Sequence, residues 1–245
     1  MESAGKNYGL AFNWRKLEVL PIRCEAAFYK PDGAPIDQKD SIVYLGSLLD
    51  KAGNIGSELN RRLGMARSDF KQLAKVWKHA CLSLDKKLQI FEACIVAKLL
   101  YCLHTAWLNA ADLRKLDAFQ AQCLRNIAGI PHSYISRVSN KSVLETCKHP
   151  KMSSKLHYRQ MILMHKVAQL PDEDVTRQIV FEPSSFELLA PASPRKRGRP
   201  RNCWNNQVFN MAIQAAGNRQ ILQDLWTQPP HVWQRNAWEF CSQLP

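Results

Sequence analysis

Acidic residues are scarce in this chain. Asp and Glu number 21 against 34 Lys and Arg, a net charge of +13. That balance says nothing about fold, but it favours polyanionic partners: DNA, RNA or an anionic membrane face. Long apolar runs are also missing. The longest lies around Cys94–Leu103 and is interrupted by Lys98. It falls short of the ~18–20 residues a bilayer span requires, so no membrane partner is expected. The segment Met1–Lys6 has no apolar signal core. None of the 8 cysteines forms a Cys-x-x-Cys pair. Such scattered spacing argues against a disulfide framework. It suits reduced cysteines acting as small apolar side chains in an intracellular compartment.

Catalytic signatures are lacking too. There is no Gly-x-Ser-x-Gly, no phosphate loop, no His-Glu-x-x-His and no pair of adjacent aspartates. The nearest Cys/His grouping is Cys147, His149 and His157. It has no second close pair and does not match zinc-finger spacing, so no metal site is expected. His79, His104, His132, His165 and His231 stand alone and read as packed or surface histidines.

What is present is a chain of 245 residues, 46% hydrophobic, long enough for one large domain or two small ones. A compact fold of this size buries roughly 70% of the surface its unfolded chain exposes. Residues 1–52 carry short apolar runs, Leu17–Arg23, Ala26–Lys30 and Ile42–Leu49, separated by turn chemistry such as Lys30-Pro31-Asp32-Gly33. They predict a small antiparallel sheet. From 53 to 131 the apolar period becomes helical. Leu59, Leu63, Ala66, Phe70, Leu73 and Trp77 form one stripe. Ser83 is a predicted N-cap for a second helix, whose half from Cys94 to Leu103 is apolar nearly all round and is expected to be central and buried. A third helix, from about Ala111 to Ala128, ends at Gly129 and Pro131. After a polar joint at Ile130–Asn140, residues 132–182 predict a second helical group. Residues 183–202 read as a basic, proline-rich linker. Residues 203–245 return to helix, with Trp204, Trp226, Trp233 and Trp238 as anchors. The expected fold class is mostly α, with a small N-terminal antiparallel β-sheet.

Two basic features point to a polyanion. Arg67, Lys71, Lys75 and Lys78 repeat in the rhythm of the apolar stripe and form their own ridge, about 100° round the helix. Arg61 and Arg62 add charge one turn earlier. Like charges so spaced repel one another by a few tenths of a kcal/mol per pair, and phosphates would relieve them. The bland alternative is a solvated face. The second feature is Arg195, Lys196, Arg197, Gly198, Arg199, Pro200 and Arg201. Its Arg-Gly-Arg-Pro core resembles an AT-hook, in which glycine lets the backbone approach a narrow minor groove and arginines enter it. The same run reads as a nuclear localisation signal, or as a flexible linker touching phosphates without preference.

Taken in order, several segments resemble LINE-type non-LTR retrotransposon reverse transcriptases. Gly9-Leu10-Ala11-Phe12-Asn13-Trp14-Arg15-Lys16-Leu17-Glu18-Val19 is similar to the end of that family's palm. Tyr44-Leu45-Gly46 with Leu48 looks like its primer-grip hairpin. Leu99-Leu100-Tyr101, Trp107, and Leu116 through Phe119-Gln120 and Cys123-Leu124-Arg125-Asn126-Ile127 to Gly129-Ile130 resemble its thumb. His165 and Pro171-Asp172 resemble the connector, and Arg197-Gly198-Arg199-Pro200 with Trp204 the basic motif beyond it. The resemblance covers roughly residues 9–205. Leu17, Met164 and Gln169 depart from the usual Thr, Gly and Arg.

The resemblance implies a palm edge and primer grip, a thumb, a connector, a basic linker and a C-terminal segment. Polymerisation in this class needs two Mg²⁺ ions held by aspartates, which in the family lie upstream of the segments matched here. It therefore implies Mg²⁺ for a full-length enzyme, none for this chain, and no polymerisation by the chain alone. Lys16 would be the lysine that protonates pyrophosphate. Tyr44, Leu45, Gly46 and Ser47 would support a primer strand. The expected partners are an RNA–DNA hybrid or duplex DNA, with upstream polymerase domains as a protein partner, in the nucleus. Two alternatives stay open: a domesticated DNA- or chromatin-binding module led by Arg197–Arg201, and an inert remnant or protein-interaction scaffold.

Overall fold

The computed structural model describes residues 5–22, 24, 27–190 and 203–244. Helix makes up 58% of the chain and strand 7%, so the expected mostly helical class holds. Residues fall into two compact units, 1–61 and 62–245. The division lies inside the first long helix rather than at the 52/53 step suggested by composition.

In the first unit, β1 (Glu18–Val19) pairs in parallel with β2 (Asp37–Gln38). Strand β3 (Ser41–Tyr44) pairs antiparallel with β4 (Ser47–Asp50). The single antiparallel sheet expected is thus two separate two-stranded sheets, one of them parallel. Ile42–Leu49 folds back on itself at Leu45-Gly46, within the segment that resembles a hairpin, and its two halves pair with each other rather than with β1 or β2. Leu45 and Gly46 both take positive φ, 47° and 79°. That geometry suits a two-residue hairpin turn, whose twist matches the flanking strands. Upstream, Lys30-Pro31-Asp32-Gly33 turns as expected, with Gly33 at φ 81° and an antiparallel bridge from Tyr29 to Pro35.

Helix α1 (Ile55–Gln72) buries the predicted stripe: Leu59, Leu63 and Ala66 are 0%, 2% and 1% exposed. The helix does not continue to Trp77. It breaks at Leu73 and resumes as α2 (Ala74–Trp77). Trp77 folds back so that its ring stacks on Phe70 at 5.0 Å and its indole N–H donates to the Phe70 carbonyl at 2.8 Å.

Helix α3 (Leu84–Phe91) starts at Ser83, which caps Lys86 N as predicted. It passes into a π-turn at Glu92–Val96, then a last helical stretch, Ala97–Leu99. Contrary to the expectation of burial all round, only one face is covered. Ile95, Val96, Leu99, Leu100 and Leu103 are fully buried, whereas Ala97, Lys98 and Tyr101 face outward. Helix α4 (Ala110–Ala128) is capped by Asn109 and ends at Gly129 in the left-handed region, as its sequence required. Next come α5 (Ser133–Ser136), α6 (Asn140–Thr146), α7 (Met152–Ala168) and α8 (Val175–Gln178). The C-terminal helices are α9 (Trp204–Ala216), α10 (Arg219–Thr227) and α11 (Pro230–Gln243).

Helix α7 is central to the second unit, packing on α4, α9 and α11. The core beside it is aromatic. Trp226 meets Phe181, Phe186, Phe209 and Trp233 nearly edge-on, at 5.6–6.1 Å, an arrangement that aromatic quadrupoles favour. Residues 183–190, assigned to a linker by composition, are part of this packing through Phe186 and Leu188. Among the described residues no helix is long and apolar enough to cross a membrane.

Candidate nucleic-acid interface

The six cations of the predicted ridge divide into two groups. Arg61 and Arg62 are engaged within the protein. Arg61 Nε donates to Glu58 at 2.7 Å, and its guanidinium reaches the Gly46 carbonyl at 2.8 Å. Glu58, only 1% exposed, also accepts from Leu48 N at 3.1 Å. The start of α1 therefore clamps the hairpin turn. Arg62 is 5% exposed, donates to the Lys98 carbonyl at 3.1 Å and lies over the Tyr101 ring.

Arg67, Lys71, Lys75 and Lys78 are exposed. Among the described residues none of the four makes an ion pair. Asp69 sits between Arg67 and Lys71, yet its carboxylate is taken by Lys98 Nζ at 2.9 Å. Arg67 leans on Phe119, its guanidinium 5.9 Å from the ring centroid. The break at Leu73 interrupts the straight ridge that the sequence suggests. Lys71 closes α1, Lys75 belongs to α2, and Lys78 is the residue that ends α2.

The primer-grip-like residues form the β3–β4 turn. Tyr44 and Ser47 pair across it, while Tyr44 and Leu45 are 60% and 75% exposed. Lys16 is exposed in a turn ahead of β1, its backbone N bonded to the Asn13 carbonyl at 2.9 Å. Arg195, Lys196, Arg197, Arg199 and Arg201 lie outside the described residues. Trp204, three residues beyond Arg201, is held in place: its indole N–H donates to the His104 carbonyl at 2.8 Å.

A polar cluster escaped the sequence reading. Glu92, at the π-turn, is 2.5 Å from His149 Nε2 and bonded to Lys155 Nζ. Gln120 bonds His149 Nδ1 at 2.8 Å and accepts from Met152 N at 2.7 Å. Burial works against the Glu92 charge. The hydrogen bonds from His149 and Lys155, with their charge, overcome it and hold the carboxyl at about 2. Lys155 is also drawn down, because its own burial outweighs the help of Glu92. The cluster borders an open cleft of about 690 Å³, lined also by Asp85, Leu88, Cys147 and Lys148. No local motif could have announced it, since its members come from four separate segments.

The Cys147, His149 and His157 side chains do not converge. His149 sits between Gln120 and Glu92, while His157 bonds Gln160 at 3.0 Å and lies against Trp107. Burial lowers His157, His104 and His165 from the usual imidazole range. The connector-like residues are structural. His165 packs beside Trp226 and Trp233. Asp172 binds Arg177 at 2.8 Å and Ser184 through both hydroxyl and backbone. Arg177, buried under Phe181 and Phe186, also bonds the Ala168 and Ser185 carbonyls.

No model of a known protein family, no curated protein and no solved structure matches this chain.

Proposed function

We propose that this chain is a nucleic-acid-binding segment of a LINE-type RNA-directed DNA polymerase, and that it holds the backbone of an RNA–DNA hybrid or DNA duplex. One observation carries the binding surface: among the described residues Arg67, Lys71, Lys75 and Lys78 are exposed without a counter-ion, while Asp69, between Arg67 and Lys71 in sequence, is committed to Lys98. Cations that serve the fold, Arg61, Arg62 and Arg177, are each bonded inside it. The four free ones repel one another, and phosphates spaced along a duplex would relieve that repulsion. The order of family-like segments supports the polymerase origin. The reading is of binding alone, and no chemical step is assigned to these residues.

The test is a salt series of binding to hybrid and duplex, with Arg67→Ala/Lys71→Ala/Lys75→Ala/Lys78→Ala alongside. Each lost phosphate contact should flatten the log–log slope by about 0.9, so the variant should lose roughly 3–4 units. Unchanged affinity and slope would overturn the reading. Loss of binding on deleting residues 194–201 instead would move the site to the basic segment.

A further inference from the structure

The joint between α4 and α6 carries no motif in the sequence, but its geometry is that of a presented surface. Gly129 ends α4 with φ 69°. Arg137, at φ 56°, ends the single turn of α5. Between them His132, Tyr134 and Ile135 point outward, with Tyr134 71% and Ile135 61% exposed. The His132 and Tyr134 rings lie nearly parallel, 13° apart with centroids at 5.8 Å, forming an offset aromatic shelf.

This shelf is held from beneath. Arg125 is 6% exposed. Its guanidinium donates to the Pro131 carbonyl at 3.2 Å, to the Val138 carbonyl at 2.6 Å and to Asn140 Oδ1 at 3.0 Å. One buried cation thus closes both ends of the loop. Ser136 Oγ adds bonds to the Pro131 and His132 carbonyls. Burying a guanidinium on neutral acceptors is costly, and here it fixes a loop whose tip is aromatic, apolar and exposed.

Within residues 131–141 the formal charges are of one sign. Arg137 and Lys141 are exposed and make no ion pair among the described residues. The nearest acid along α6, Glu145, does not pair with Lys141. An exposed aromatic face on a hydrogen-bonded loop, followed in sequence by cations unpaired among the described residues, matches the surface that single-stranded nucleic acid uses, with bases on rings and phosphates on cations. Bases in a duplex are already stacked on one another and cannot use it.

We infer that the His132/Tyr134/Ile135 knuckle is a stacking site for unpaired nucleobases, with Arg137 and Lys141 receiving the adjoining phosphates. It shares with the proposed function only the premise that the chain binds nucleic acid, and it uses different residues.

The experiment titrates the full chain against short labelled oligothymidylate, oligouridylate and a duplex of the same length. Tyr134→Ala should weaken single-strand binding about 5- to 150-fold, the range that one lost base stack gives. Tyr134→Phe should retain it. Duplex binding should stay within about twofold for both. Arg137→Ala/Lys141→Ala should flatten the single-strand salt slope by about 0.7 per phosphate contact. Preference for the uridylate over the thymidylate strand, or the reverse, identifies the polymer. Equal single-strand affinity of Tyr134→Ala and the unaltered chain overturns the proposal, as does an equal loss on single strand and duplex. The ridge variant is scored separately on duplex, so either site can fail alone.

Discussion

At the scale of single residues, buried charge does two different jobs in this protein. Arg125 and Arg177 hold backbone carbonyls in place. Removing either guanidinium would abandon those acceptors, at about 1–3 kcal/mol for each one left buried. Glu92 is a paired carboxylate, and its effect depends on pH. Its folded value, about 2, lies below the ordinary 4.5. Its stabilisation is therefore complete above pH 4.5 and disappears as pH falls toward 2. Asp172 behaves likewise, held at about 2 by Ser184 and Arg177. Urea midpoints should drop across this window, and Glu92→Gln should make the drop shallower. An identical pH profile for Glu92→Gln would show that the cluster does not couple to folding. Burial pushes the Cys123 and Cys241 thiols to about 12, whereas Cys24, Cys81 and Cys203 are exposed. A brief treatment of the native chain with a maleimide should label the exposed three. Cys123, Cys147 and Cys241 should react only after denaturation, as read by peptide mass.

At the scale of elements, helix ends follow local rules and helix courses do not. Asn109 caps α4 by accepting from Asp112 N at 2.9 Å. Asn109→Ala should cost about 1 kcal/mol, measured by chemical denaturation. The break at Leu73 has no such local cause, because neither glycine nor proline is near. It follows from Trp77, which gains a stack on Phe70 and a bond to its carbonyl only if the chain turns back. Trp77→Leu should therefore loosen α2 and reorient Lys75 and Lys78. If the thumb-like ridge binds phosphates, this variant should weaken duplex binding with all four cations still in place. The π-turn has a similar tertiary counterpart: its first residue is the carboxylate that meets His149 and Lys155.

At the scale of the whole molecule, the second unit depends on an aromatic core centred on Trp226, which is 1% exposed. Trp226→Ala should destabilise it by about 3–5 kcal/mol, seen as a lower denaturation midpoint with little change in slope. The net charge of +13 supplies a diffuse attraction to any polyanion, so affinity alone at low salt separates no hypotheses. The salt slope does, because it counts phosphate contacts. On the two proposals, the ridge and the 131–137 knuckle would divide the work by polymer form, backbone of a duplex for one and unpaired bases for the other.

Much of the architecture was legible in the chain itself, because short-range physics governs it. Apolar period told helix from strand, and the stripe Leu59–Leu63–Ala66 is buried as its spacing required. Ser83 and Gly129 marked helix ends through their own hydrogen bonding and φ. The exposure of Arg67 and Lys71 followed from their angle to that stripe, whereas Lys75 and Lys78 are exposed beyond the break at Leu73. Tertiary structure decided what depends on distant partners. It paired β1 with β2 in parallel and β3 with β4 separately, where one antiparallel sheet was expected. It drew Arg61 and Arg62 inward, toward Glu58 and the Lys98 carbonyl, where sequence counted them as free charge. It assembled Glu92, Gln120, His149 and Lys155 from segments with no shared motif, and it tied both ends of the Ile130–Asn140 joint to one buried arginine. A sequence records which groups need partners, whereas only the folded chain settles which groups meet and which are left facing water.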